Sequence, residues 1–158
     1  MAQESIFYKA VFPLPGLAAT TALGARIAAL LKVGDTVALA GDLGAGKTTL
    51  ARAILSSLGV SGMVPSPTFT LVQRYDTPHL SISHYDLYRL KSARELDELG
   101  LDEALEQGAA LIEWPERAEG RLPLDHLTVE LHTDGAVRHA DLSGPARWRE
   151  LTPGSQNV

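Results

Sequence analysis

Gly41-Asp42-Leu43-Gly44-Ala45-Gly46-Lys47-Thr48 is the stretch on which the reading of the fold turns. It fits, position by position, a glycine, any four residues, a second glycine, a lysine and a hydroxyl residue, the pattern of a phosphate loop. Glycines let successive backbone N–H groups face phosphate oxygens with no side chain intervening, and the N-terminus of a following helix adds a favourable dipole. In such a loop Lys47 supplies a cation for the β- and γ-phosphates and Thr48 a hydroxyl ligand for Mg²⁺, with Thr49 next in line on the helix.

Such a loop needs a strand before it and a helix after it, and the flanking sequence provides both. Val33 to Ala40 is an apolar run suited to a buried strand, and Leu50, Ile54, Leu55 and Leu58 mark one face of a helix that Gly59 ends. Upstream, the spacing of Leu23, Ile27, Leu30 and Leu31 predicts a helix from about Ala18 to Leu31. Downstream, an extended segment opens at Ser66-Pro67-Thr68 and runs through Tyr75, Asp76-Thr77-Pro78 turns, and Leu80 to Tyr85 alternates as a strand. Together they form a hairpin that delivers Asp86 at its end. Ser92 with Glu95 is a capping-box pair opening a short helix to Leu99, closed by Gly100, and a second short helix covers Asp102 to Glu106. Ala109 to Ile112 reads as a buried strand ending in Glu113-Trp114-Pro115, and Leu127 to His132 with Val137 to Leu142 forms a hairpin about Asp134-Gly135.

With 158 residues, 45% of them hydrophobic, the chain is the size of one compact domain with a sizeable core. We assign residues 1–151 to it and read 152–158 as a frayed tail. The absence of cysteine excludes disulfides, thiolate zinc sites and a cysteine nucleophile. No basic segment followed by an apolar run begins the chain, and no stretch approaches the roughly 18 apolar residues of a spanning helix. A cytoplasmic protein without a membrane role is therefore expected. A net charge of −5 offers no global positive field for a polyphosphate backbone, so any service to RNA would pass through a partner that grips it.

A GTPase would need a guanine-reading Asn-Lys-x-Asp element, yet the only asparagine is Asn157, so ATP is the expected nucleotide. Asp97-Glu98-Leu99-Gly100 spells a GTPase switch motif but falls in the helix that Ser92 opens, and is read as coincidence. Magnesium needs a further carboxylate, and Asp86 and Glu113 both end predicted strands. Either serves as a metal ligand, directly or through water, and Glu113 alternatively positions the attacking water. Thr68, 20 residues beyond Thr48, lies in a proline-stiffened loop where a switch segment would sense the γ-phosphate. Trp114 and Tyr88 read as core or partner-facing aromatics and His84 as a packed strand histidine, while Arg89 and Arg94 could reach phosphate, although surface solvation is the safer reading.

Four signatures stand in order: the loop Gly41 to Thr49, Ser-Pro-Thr-Phe-Thr-Leu from Ser66, His-Tyr-Asp-Leu-Tyr-Arg-Leu from His84, and Ile-Glu-Trp-Pro-Glu from Ile112. Together, across about residues 14 to 142, they resemble the TsaE (YjeE) family, the ATPase component of the bacterial machinery making threonylcarbamoyladenosine at position 37 of tRNAs decoding ANN codons. The resemblance implies a single-domain α/β P-loop NTPase fold with a mixed β-sheet flanked by helices. It also implies Thr48 and Glu113 near Mg²⁺, Asp86 supporting the metal or water, Thr68 in the switch-like loop and Trp114 beside the site. It implies docking to a TsaB and TsaD pair, with tRNA engaged only indirectly. The region of Leu17 and the turn from Gly135 to Arg138 are candidates for the adenine pocket.

In the resulting mechanism, Lys47, Mg²⁺ and the loop amides stabilise charge on the β- and γ-phosphates. A water oriented near Thr68 and Asp86 or Glu113 attacks in line. No arginine finger is evident in sequence, so turnover by the chain alone should be slow. Two alternatives stay open: a small-metabolite kinase, which needs an acceptor pocket and an arginine-bearing lid, and a nucleotide-gated assembly subunit without productive hydrolysis.

Overall fold

The computed structural model describes residues 7–42, 44–61, 67, 70–118 and 120–152. In chain order these form β1 (Phe7–Pro13), α1 (Leu17–Leu30), β2 (Thr36–Gly41), α2 (Lys47–Ser57), β3 (Val72–Asp76) and β4 (Ser81–Asp86). Then come α3 (Glu95–Glu98), α4 (Leu101–Gln107), β5 (Gly108–Glu113), a 3₁₀ turn (Pro115–Ala118), β6 (Leu127–Asp134), β7 (Val137–Pro145) and a closing 3₁₀ helix (Ala146–Leu151). The strands join one sheet in the order β1-β7-β6-β2-β5-β4-β3. Its centre, β6-β2-β5-β4, is parallel, β3 at one edge and β7 at the other run antiparallel to it, and β1, antiparallel to β7, closes the far edge.

Strands buried on both faces need apolar residues throughout, and β5, Gly-Ala-Ala-Leu-Ile-Glu, is buried at every position. Side-chain alternation then sorts the two faces. Ala109 and Leu111 pack with Val37, Leu39, Ile82, Val129 and the inner stripes of α1 and α2. Ala110 and Ile112 pack with Tyr85, Leu87, Leu96 and Leu101 on the opposite face. Helix α1 buries Leu23, Gly24, Ile27 and Ala28, and α2 buries Leu50, Ala51, Ile54 and Leu55. The two helices approach so closely that a Cβ on Gly24 would lie 2.6 Å from the Ala53 Cβ. Past α2, Val60 N–H donates to Leu55 O at 3.0 Å across the left-handed Gly59 (φ 105°), a Schellman closure.

The predicted helices and central strands stand within a few residues of their expected bounds, with differences at the periphery. Strand β1 was not anticipated: its outward positions carry Phe7 and Val11, so the inward set Tyr8, Ala10 and Phe12 stands out from no polar background. The capping pair is half made, since Glu95 Oε1 accepts from the N–H groups of Lys91 (2.7 Å) and Ser92 (3.4 Å), while Arg94 occupies the N-cap of α3. The second hairpin turns at Gly135-Ala136, one residue later than expected, because Asp134 still pairs with Val137. Thr152, expected in the tail, is held by the Tyr8 hydroxyl at 2.7 Å, and residues 153–158 lie outside the described residues.

Candidate functional site

Parallel pairing aligns the carboxyl ends of the central strands, with Leu39 and Asp86 both opposite Glu113 and Gly41 opposite Leu131. The phosphate loop starts at that edge. Gly41 has φ 143°, and a Cβ there would fall 2.7 Å from Leu131 O, so β2 can leave the sheet here only as glycine. Gly46, at φ 108°, is the N-cap of α2 and brings no side chain to cap it. An α-helix leaves its first N–H groups without intrahelical acceptors, so the amides at the start of α2 are donors for an anion.

Lys47 is buried, its ammonium donating to the carbonyls of Gly41 and, at 2.9 Å, Asp42. The same Nζ lies 4.0 Å from the centroid of the Trp114 ring. Burial lowers the Lys47 pKa below the ordinary lysine value, opposed by the charges of Glu113, Glu116, Asp42 and Asp86.

Glu113 ends β5 on the same face as Ala109 and Leu111, the face that α2 covers, and is 2% exposed. A buried carboxylate needs donors, and among the described residues Glu113 has two. Thr48 Oγ1 donates to Oε1 at 2.9 Å, and His84 Nε2 meets Oε2 at 2.7 Å. His84 is fully buried on β4, and its Nδ1 has no hydrogen-bond partner among the described residues. Asp86, two residues on along the same face, is also buried, and its Oδ1 accepts from Tyr88 N–H at 3.0 Å.

These groups border an open cleft of about 480 Å³ walled by Gly44, Gly46, Thr49, Tyr88, Arg89 and Arg138, with Trp114 across from Lys47. Trp114 takes φ 60°, a left-handed backbone costing a residue with a Cβ roughly 1–2 kcal/mol. Its ring packs 4.9 Å from that of Tyr88, which carries the Arg117 guanidinium at 5.8 Å on its own ring.

Thus the structure brings Lys47, Thr48, Thr49, Asp86 and Glu113 to one place, with Gly41, Asp42, Gly44, Ala45 and Gly46 forming the loop beneath. Leu43 and Thr68 lie outside the described residues. Leu71 N–H donates to Pro67 O (2.9 Å), and Leu71 O accepts from Asp86 N–H (2.9 Å).

Sequence reasoning placed some neighbours differently. His84 is packed in its strand as expected, but it packs on the Glu113 carboxylate. Of the core and partner-facing readings of Tyr88, the core one fails, since the residue is 44% exposed on the cleft wall. Arg89, for which surface solvation was the safer reading, and Arg138, at the end of the turn named for the adenine pocket, both line the cleft, while Arg94 stays exposed on the surface. The signal for Arg138 was geometric, since β7 pairs with β6, which pairs with β2. Leu17 lines a separate groove with Thr49 and Arg52.

A phosphate loop joining a central parallel strand to a helix, with acidic residues ending the neighbouring strands, defines a P-loop NTPase fold. The structure superposes on the crystal structure of Bacillus subtilis YdiB with a TM-score of 0.76, at 30% sequence identity and covering 94% of each chain. The chain belongs to the TsaE family, whose model, described as threonylcarbamoyl adenosine biosynthesis protein TsaE, matches residues 14–140. Among its relatives is the tRNA threonylcarbamoyladenosine biosynthesis protein TsaE of Rickettsia bellii, 50% identical over 105 residues, which are 66% of this chain and 73% of that one. The protein of that name from Bacillus subtilis is 40% identical over 117 residues, 73% of each chain. The one from Streptomyces coelicolor is 40% identical over 137 residues, 80% of this chain and 91% of that one. No described helix is long and apolar enough to cross a membrane.

Proposed function

We propose that the chain binds ATP with Mg²⁺ in this cleft and hydrolyses it as the cytoplasmic ATPase subunit of tRNA threonylcarbamoylation. It would act on a TsaB and TsaD complex that modifies adenosine 37 of tRNAs decoding ANN codons. The names of the Rickettsia bellii and Bacillus subtilis relatives support the pathway. The observation that carries the chemistry is the chain of contacts from Thr48 through Glu113 to His84 at the mouth of the phosphate loop.

The donor set suits magnesium, a hard cation that takes oxygen ligands: the Thr48 hydroxyl faces the Glu113 carboxylate, and Asp86 ends the next strand. Bound Mg²⁺ supplies positive charge against the β- and γ-phosphates. The amides from Gly44 to Thr48 cradle phosphate oxygens, and Lys47 exchanges its two loop carbonyls for the β- and γ-oxygens. His84 holds the Glu113 carboxylate in one rotation, so its other oxygen stays directed at Thr48. Asp86 and Thr68 orient the attacking water in this reading, and Arg138 adds a cation on the far wall of the cleft.

Phosphate release from ATP and GTP with Mg²⁺ tests the proposal, first with the chain alone and then with TsaB and TsaD. Slow ATP turnover that the partners raise, and that Lys47→Ala and Thr48→Ala each abolish, is expected. Robust hydrolysis by both variants would overturn the assignment.

A further inference from the structure

On the sheet face turned away from α1 and α2, the β6–β7 hairpin carries a second group of ligating side chains. His132 pairs directly with His139, and Glu130 with Asp141, so four outward residues form a two-by-two array across two strands. The imidazoles stack with centroids 4.9 Å apart. His132 Nε2 lies 3.1 Å from Asp141 Oδ2 and 3.6 Å from Glu130 Oε1, and His139 Nε2 lies 3.8 Å from Asp141 Oδ1. Ligand atoms of His132, His139 and Asp141 all fall within 4.8 Å of one another.

A tetrahedral ion bound at about 2.0–2.2 Å separates its ligand atoms by about 3.4 Å. The three distances straddle that spacing. Nor does hydrogen bonding explain the convergence, because His132 Nε2 is closed to solvent and makes no hydrogen bond among the described residues. Two imidazoles and the Asp141 carboxylate converge, the Glu130 carboxylate adds negative charge beside them, and nitrogen with oxygen donors suits zinc and its first-row neighbours.

We propose that His132, His139 and Asp141, with Glu130 beside His132, form a binding site for a divalent transition ion, zinc foremost, separate from the nucleotide cleft. The sequence has no cysteine, so no thiolate elsewhere in the chain competes. The ion would clamp β6 to β7 beside the phosphate loop, since Glu130 and His132 also border a cavity of about 430 Å³ against Gly41, Asp42, Gly44 and Ala45.

The test uses the full chain without a histidine tag, stripped by chelator and free of nucleotide. Zinc is titrated calorimetrically, and cobalt is added as a spectroscopic probe. Stoichiometric zinc binding and the visible bands of four-coordinate cobalt are expected. His132→Gln and His139→Gln should each weaken zinc by at least ~10-fold, and Glu113→Gln, in the nucleotide cleft, should leave it unchanged. Thermal unfolding checks that the variants fold, and Asp141→Asn replaces either one that does not. Failure of the wild-type chain to bind zinc overturns the site, leaving an ordinary ion-pair cluster. Binding that survives both histidine variants, or that only Glu113→Gln removes, overturns it equally.

Discussion

Replacing His84 with leucine should damage turnover while leaving the chain folded. The substitution removes the Nε2 donor 2.7 Å from Glu113 Oε2, leaving half of a buried, charged carboxylate unpaired, at a cost of about 3–5 kcal/mol. It also removes Nδ1, a buried nitrogen with no hydrogen-bond partner among the described residues, which recovers about 1–3 kcal/mol. The offset is partial, so the net destabilisation should be about 2 kcal/mol, a fall in Tm of roughly 4–8 °C for a chain of this length. Turnover has no such offset. With Oε2 unheld, the carboxylate rotates away from Thr48, and losing a partner that orients a ligand typically costs about 10–100-fold. Thermal unfolding and steady-state phosphate release with TsaB and TsaD measure the two effects. kcat should drop with little change in KM for ATP, because the loop amides and Lys47 still hold the phosphates. His84→Gln, whose amide also donates to Glu113, should restore part of kcat. A leucine variant with wild-type kcat, or one whose activity falls only in step with its folded fraction, would refute the positioning role.

Three further outcomes follow from other parts of the molecule. Burial lowers the Lys47 pKa, so ATP affinity should begin to fall at a pH below the ordinary lysine range as the ammonium deprotonates; fluorescence titration across alkaline pH should find this loss delayed in Lys47→Arg. Burial likewise pushes the Tyr85 phenol up to about 12. The folded state then keeps a proton that the unfolded chain loses above about 10, so stability should decline between those values, and Tyr85→Phe should flatten denaturant midpoints there. A Cβ on Gly108 would sit 1.9 Å from Ser81 O, inside the β4–β5 pairing, so Gly108→Ala should cost more than about 3 kcal/mol, visible as a collapse of soluble yield or a large drop in Tm.

The centre of the fold was legible because its signals are local. Gly41 to Thr48 names its own conformation, and the unbroken apolar run before Glu113 has few uses other than a strand buried on both faces. The same parity argument aims Glu113 at α2, once strand order is known. What sequence did not display depends on pairing between distant segments. His84 meets Glu113 because β4 and β5 are parallel neighbours, and Arg138 reaches the cleft through a hairpin that docks on β2 by way of β6. Strand β1 was hidden for a similar reason, since its partner lies near the other end of the chain and its exposed face carries Phe7 and Val11.

That pairing of Phe7 with Pro145 gives the order of synthesis a physical meaning. Of the described strands β1 leaves the ribosome earliest, yet it is among the last to find its place, and contacts so distant in sequence form slowly. By the time β6 emerges, the phosphate loop and the parallel centre have all their strands, but β1 still presents unpaired backbone and two exposed apolar side chains. Only when residues 137–145 arrive can β7 cover the edge of β6, receive β1 and carry Arg138 to the cleft. A chain interrupted before β7 would therefore hold its phosphate loop yet expose two sticky strands, and proteases or chaperones in the cell would meet that species first.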